Sequence, residues 1–339
     1  MIYTLTLNPS LDYLVEMEKL MPGKINRADS EEIFYGGKGV NVSIMLKHLN
    51  VDSIALGFTA GVTAELFENG VRSCGVTPSF LRVKNGFTRI NVKILDEEET
   101  EVNGQGPQPD AEEIGTLMSM LDRLGEGDVL VMAGSVPKSV PDTIYAQIMR
   151  RLSGRGVLCI VDTSGSPFLH VLEEKPFLIK PSLRELEEIF HCPMKEGVLL
   201  SSMIALAQRG VRNVLVSCGE HGAYLLDEHG GFYYGKSPAG RVINTAGDGR
   251  WFPEGMAADF RLCAGLQKRN RRRQRVSVLQ RHGRRRGGKE AVCESAYRSD
   301  ERAGDGRLRK LGGDLSFFFV LWTRLLTGRW SEKRHDRES

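Results

Sequence analysis

Six short apolar runs, separated by helical patterns, set the strongest limit on what this chain can fold into. They are "IYTLTL" (2–7), "SIALGF" (53–58), "DVLVMAG" (128–134), "GVLCIVDT" (156–163), "PFLIKP" (176–181) and "NVLVSCG" (213–219). Most are continuous rather than alternating, as expected for strands of a sheet covered on both faces. Helical patterns fall between them at 39–50, 111–125, 141–153, 183–190 and 199–209. In the first of these, the period predicts that Val42, Met45, Leu46 and Leu49 share one face. Such alternation predicts an α/β architecture with a mainly parallel sheet. Segments 13–37 and 87–107 instead carry short strands and turns without a helix. They predict a small antiparallel flap beside the sheet, or else a pair of surface hairpins.

The alternation stops at Gly247. Residues 1–249 carry a net charge of −9, and residues 250–339 carry +12 with 19 arginines. The stretch "RNRRRQRVSVLQRHGRRR" (269–286) has neither a helical nor a strand period. A basic segment of this kind can bind nucleic acid through phosphates. No recognisable nucleic-acid module accompanies the arginines, however, and the aromatics cluster at 317–322 instead of interleaving with them. The six cysteines are scattered without a C-x-x-C pair, which argues against a disulfide framework or a zinc site and suits a reducing cytoplasm. The opening "MIYTLTLNPSLD" reads as strand and turn rather than signal peptide, and "LSFFFVLW" (315–322) is too short to span a bilayer. No membrane partner is expected.

Several motifs carry chemistry. "YGGKGVNVS" (35–43) places consecutive glycines before a helix, where backbone and free N–H groups can approach a ligand. It lacks the spacing of a Walker A loop, and alone it is equally a tight turn. Asp12 follows the first strand in "LNPSLD", near the edge where parallel α/β sheets bind ligands. "TRINVK" (88–93) groups Arg89 with Asn91 and Lys93, and "GKINR" (23–27) adds Lys24 and Arg27. A guanidinium fork suits a phosphate group, so these bases point to a phosphorylated substrate.

Read together, "TLNPSLD", "GGKGVNVS", "TRINVKI", "EVNGQGP" (101–107), "AGSVP" (133–137), "VDTSG" (161–165), "IKPSLRELEE" (179–188) and "VSCGEHGA" (216–223) resemble the PfkB carbohydrate kinase family. Within it they resemble the 1-phosphofructokinase branch. The resemblance covers about residues 1–247. It implies a ribokinase-like α/β sandwich with a mainly parallel sheet and a small β-clasp lid, built from about 13–37 and 87–107. It implies an ATP- and Mg²⁺-dependent kinase that phosphorylates fructose 1-phosphate, in the cytoplasm, with a homodimer formed through the lid. A tagatose-6-phosphate or other hexose-phosphate kinase is the nearest alternative. By family pattern, Asp12, Gly37, Lys38, Asn41, Asn103 and Ser135 match sugar positions. Arg89, with Lys24 or Arg27, matches the phosphate position. Lys180, Glu185, Ser217, Gly219, Gly222 and Gly247 match the nucleotide side, with Glu185 toward the metal, and Asp248 matches the catalytic base. One departure is Ser182, where the family usually has Asn.

The catalytic loop itself is altered. The family places Gly-Ala-Gly-Asp at a helix start, so that backbone N–H groups hold the moving phosphoryl while the Asp accepts a proton. Here the sequence is "INTAGDGRWF" (243–252). Aligned without a gap, Arg250 stands where the base should be; aligned on Asp248, two residues of the anion hole are missing. The chain is therefore either a kinase with impaired turnover or an inactive product that still binds sugar phosphate. A reading-frame shift at or just after residue 247 would account for the foreign tail. If codons are regrouped as the third base plus the next two, Trp251-Phe252 forces Val, and the flanking pairs permit Met, Ser and Gly. Met-Val-Ser-Gly is what the family commonly carries after Asp-Ser. We expect the encoding DNA to contain a family-like alternate frame past codon 247; sequencing that shows none would rule out the shift.

Overall fold

The computed structural model describes residues 1–235; Gly247, Asp248 and the arginine-rich segment lie outside the described residues. A nine-stranded sheet forms the centre. Its strands in chain order are β1 (Ile2–Thr6), β4 (Ser53–Ala60), β5 (Thr77–Val83), β8 (Val129–Ala133), β9 (Leu158–Asp162), β10 (Leu178–Ile179), β11 (Asn213–Ser217), β12 (Ala223–Leu226) and β13 (Phe232–Gly235). The spatial order is β13-β12-β11-β10-β9-β8-β1-β4-β5. Every pair from β5 to β11 is parallel, and β12 and β13 add antiparallel strands at one edge. The β12–β13 hairpin closes on Asp227, whose Oδ1 accepts from the N–H of His229 at 2.9 Å and of Gly231 at 2.6 Å.

Helices α3 (Ala111–Leu121), α4 (Ile144–Leu152), α5 (Ser166–Val171), α6 (Leu183–Phe190) and α7 (Glu196–Gln208) supply the apolar cover of one face. Leu117, Ile144, Tyr145 and Ile148 pack with Leu5, Phe58, Leu130 and Met132 of the strands. Leu186, Met203 and Leu206 pack with Ile179, Val214 and Val216. Helices α1 (Lys38–His48) and α2 (Thr63–Ser73) use the other side, where Leu46 meets Ile2 and Val129, and Phe67 and Val71 meet Ala55. Strand alternation explains the split, since successive side chains point to opposite faces.

A second sheet has the order β3-β2-β6-β7, built from β2 (Ser10–Glu16), β3 (Ser30–Gly36), β6 (Arg89–Leu95) and β7 (Glu99–Asn103). The sequence predicts an antiparallel flap, and here the structure differs. Two antiparallel hairpins meet through a parallel β2–β6 pair. The reason is topological. Strands β2 and β6 both leave the same edge of the central sheet, after β1 and β5, so they run in the same direction. The face of α1 also differs from expectation. Gly39, Val40, Ser43, Ile44 and Leu46 are buried, whereas Val42, Met45 and Leu49 are only half-buried. Small Gly39 and Ser43 take the tightest contact with β1, where a purely apolar count would not place them. Helix α2 and strand β5 lie in a stretch that the periodicity leaves unassigned, and "PFLIKP" yields only the two-residue β10.

Candidate active site

Parallel register brings the site together. Ala133 pairs with Asp162, and Val161 pairs with Ile179, so Gly134, Asp162 and Lys180 emerge side by side at one sheet edge. Pro181 and Ser217 continue the row through a 3.1 Å backbone bond from Ser217 N–H. The second sheet rises beside this edge. Its register aligns Asp12, Asn91 and Asn103 across three strands and sets Ser10 opposite Arg89. Asp12 is thus the third residue of β2, not a residue that caps the first strand as its sequence context implies. Its Oδ1 accepts from Asn91 Nδ2 at 2.7 Å.

Two glycines keep the junction open. Gly37, the N-cap of α1, has φ of 114°, and a Cβ there would come within 2.6 Å of Thr6 Cγ2. A Cβ on Gly36 would run into the Asp12 carboxylate. Asn41 lies half-buried in the first turn of α1, where its N–H bonds Gly37 O at 2.9 Å. Arg89 is half-buried, and its Nε is buried without a hydrogen-bond partner. Burial lowers its pKa, with Asp12 pulling the other way. Thr6 Oγ1 and Asn8 Oδ1 are likewise buried and unpartnered. Such groups are costly unless something else satisfies them.

Not every predicted base gathers here. Lys93 is buried and pairs with Glu101 at 2.9 Å, so it is committed within the sheet. Lys24 and Arg27 lie exposed on the loop between β2 and β3, and Asn103 is exposed at the end of β7. Ser135 is exposed beyond Gly134, beside an open cleft of about 500 Å³ shared with Lys138, Asp142, Thr163 and Ser164. Gly134 O accepts from Tyr145 Oη at 3.2 Å and Thr163 Oγ1 at 3.1 Å, which fixes that loop.

The densest charge cluster centres on a residue that the sequence motifs contain but do not single out. Asp162 Oδ1 lies 3.0 Å from Lys38 Nζ, and its Oδ2 lies 3.0 Å from Lys180 Nζ. Burial alone would raise the Asp162 pKa, but Lys180 and Lys38 outweigh it and hold the carboxyl below its usual value. Burial likewise works to lower Lys38, yet Asp162 and then Glu185 raise it overall. The available signal was an acid ending the strand in "VDTSG", at the ligand edge of a parallel sheet.

A model of the pfkB family of carbohydrate kinases matches residues 6–249. The chain belongs to the pfkB family of carbohydrate kinases. It is 38% identical over 271 residues to a 1-phosphofructokinase of Bacillus subtilis, covering 79% of this chain and 86% of that one. It is 34% identical to a D-tagatose-1-phosphate kinase of Bacillus licheniformis, over 73% of this chain and 81% of that one. The solved structure of Escherichia coli phosphofructokinase-2 with substrates and products is similar at a TM-score of 0.69 and 26% identity, covering 73% of this chain and 81% of that one. The fold is ribokinase-like, and the protein is a phosphotransferase.

In this carbohydrate kinase the nucleotide-side candidates cluster around the start of α6. Ser182 is its N-cap and Glu185 completes a capping box. Glu185 Oε2 accepts from Ser182 N–H at 2.6 Å and from Ser182 Oγ at 2.9 Å, while Ser182 Oγ accepts from Glu185 N–H at 3.2 Å. Ser182 also bridges Ser217. Gly219 (φ 55°) and Gly222 (φ 98°) frame the following turn, closed by Cys218 N–H to Gly222 O at 2.8 Å. Burial pushes the Cys218 thiol up to about 11. Among the described residues no group of three or more His, Cys, Asp or Glu could cage a metal. Mg²⁺ takes one or two carboxylates and completes its shell with phosphates and water. Glu185 fits that pattern; Asp162 is already committed to two lysines.

The cap geometry gives a test. Asn and Ser cap about equally, whereas Ala costs about 1 kcal/mol. Ser182→Asn is expected to unfold within a few tenths of a kcal/mol of the unsubstituted chain and Ser182→Ala about 1 kcal/mol earlier, read by urea titration.

Proposed function

We propose that this chain phosphorylates fructose 1-phosphate with MgATP to give fructose 1,6-bisphosphate, in the cytoplasm. The observation that carries the reading is Arg89: a half-buried guanidinium with an unpartnered Nε, beside the Asp12–Asn91 pair. A guanidinium in that state calls for an anion, and a carboxylate–amide pair next to it suits sugar hydroxyls. The sugar phosphate lies under the second sheet, which acts as the lid. Asp12, Asn41, Asn103 and Ser135 face its hydroxyls, Gly37 and Lys38 its ring side, and Arg89 its phosphate, with Lys24 or Arg27 arriving from the β2–β3 loop. The nucleotide lies across Lys180, Ser217, Gly219, Gly222 and Gly247. Glu185 would hold Mg²⁺, which supplies charge neutralisation on the phosphoryl oxygens. Asp248 is the proposed base, and its shortened loop lowers turnover by about 10²–10³ through lost backbone donors.

Substrate binding and turnover separate in the assay. Purified full-length chain with MgATP is expected to convert fructose 1-phosphate in preference to tagatose 1-phosphate and tagatose 6-phosphate, at a kcat well below that of an intact relative. Arg89→Met is expected to weaken fructose 1-phosphate binding about 10- to 100-fold, because a charge-assisted hydrogen bond contributes about 1.5–3 kcal/mol. Preference for a tagatose phosphate, or unchanged binding in the Arg89 variant, would overturn the assignment.

The outer face of the lid supports a homodimer. Register puts Ile33, Ile90 and Val102 on the face opposite Asp12 and Asn91, at 46%, 40% and 59% exposure. An exposed apolar sheet face is a docking surface. Val102→Glu is expected to shift the chain from dimer to monomer in light scattering; a monomeric unsubstituted chain would refute this interface.

A further inference from the structure

Asp162 ends β9 with 11% of its side chain exposed, yet it meets two cations at 3.0 Å, one on each carboxylate oxygen. The cations come from distant parts of the chain. Lys38 opens α1 directly after lid strand β3, and Lys180 lies between β10 and the N-cap of α6. Both are held from behind. Lys180 N–H bonds Val161 O at 3.0 Å, which fixes it opposite Asp162. The start of α1 is pressed onto β1, where a Cβ on Gly39 would come within 2.9 Å of Leu5 O. The two lysine side chains remain 48% and 34% exposed, so part of each ammonium still faces solvent. An ammonium has three donors. Asp162 is shared between the two lysines, so each ammonium keeps donors free for an anion.

We propose that Asp162 is a positioning residue whose carboxylate clamps Lys38 and Lys180 side by side, making them one paired cation site for the phosphoryl group as it passes from nucleotide to sugar phosphate. The proposal rests on the kinase reading above. Without the carboxylate, two like charges would sit together half-buried and drive each other apart or lose a proton. With it, both ammoniums are held in place, which is what phosphoryl transfer needs from a protein. The other titratable groups around the clamp agree with this. Glu185, on α6, draws on Lys38 in the same sense as Asp162. Tyr145, on α4, is fully buried; burial first, then Asp162, raises its pKa, so it adds no negative charge. The clamp ties the sugar side of the site, through α1, to the nucleotide side, through α6.

The test follows acylation of individual lysines by an amine-reactive reagent, resolved by mass spectrometry on the full chain, with exposed Lys195 as reference. Lys38 and Lys180 are expected to react about tenfold more slowly than Lys195, since each ammonium must break a 3.0 Å charge-assisted bond to Asp162 before it can react. Asp162→Asn, which loses the charge-assisted bonds, should accelerate both by about tenfold, and Asp162→Glu, which keeps the charge, should stay within about threefold. Unchanged rates in an Asp162→Asn chain that melts cooperatively would overturn the clamp. Should that variant fail to fold, Lys38→Met decides: Lys180, left alone with Asp162, should slow further, and an equal or faster rate would overturn the clamp. In a second arm, fructose 1-phosphate with MgADP should protect both lysines, and Asp162→Asn should lower kcat about 10²-fold with KM within about threefold. Loss of protection with the acceleration intact would refute the substrate reading alone; protection without acceleration would refute the clamp alone.

Discussion

Parallel pairing runs without a break from β5 to β11, and that single constraint decides where chemistry can sit. Seven strands deliver their C-terminal ends to one edge, and each crossover returns over a face of the sheet. Gly134, Asp162, Lys180 and Ser217 become neighbours because strand register leaves them no other place. The lid depends on the same constraint. Both β2 and β6 begin at that edge, which forces their parallel pairing and brings Asp12 beside Asn91.

What the sequence made legible follows from which signals are local. Continuous apolar runs mark β8, β9 and the middle of β11 because a doubly covered strand has no polar side to show. The helical patterns at 111–125 and 183–190 fall on α3 and α6, whose starts the structure closes with the capping boxes Asp110–Glu113 and Ser182–Glu185. The buried face of α1 was not legible, because close approach to β1 selects small Gly39 and Ser43 over the larger Val42 and Met45. Nor was the mixed pairing of the lid, which is a property of where two distant strands start. The motif glycines and Asp12 were readable as residue types. The partners of Lys93 and Lys38 were not, since alternation alone cannot say that one lysine is committed to Glu101 and the other to Asp162.

Those two lysines show how context decides the use of a charge. Lys93 sits on the same strand face as Arg89 and Asn91, yet its side chain is 7% exposed and its ammonium is matched by Glu101 within the lid. Burial with a partner turns it into an internal tie. Lys38 also has a carboxylate partner, but that partner is shared with Lys180. Two ammoniums on one acid keep donors free that an incoming anion can take. The sharing of that acid separates the two lysines where residue type and burial alone would not.

The seam near Gly247 divides the proposed machinery along a physical line. Groups proposed to hold a sugar phosphate, from Asp12 to Lys180, come from the alternation of strands and helices within residues 1–235. The anion hole and base belong to the altered loop. Interactions that bind ground state and transition state alike set affinity, whereas those realised only as charge moves set turnover. Altering the loop therefore weakens the second kind and leaves the first. On this reading, such a chain still recognises its substrate through Arg89 and Asp12. The proposed Lys38–Asp162–Lys180 clamp, built wholly within residues 1–235, is kept with them.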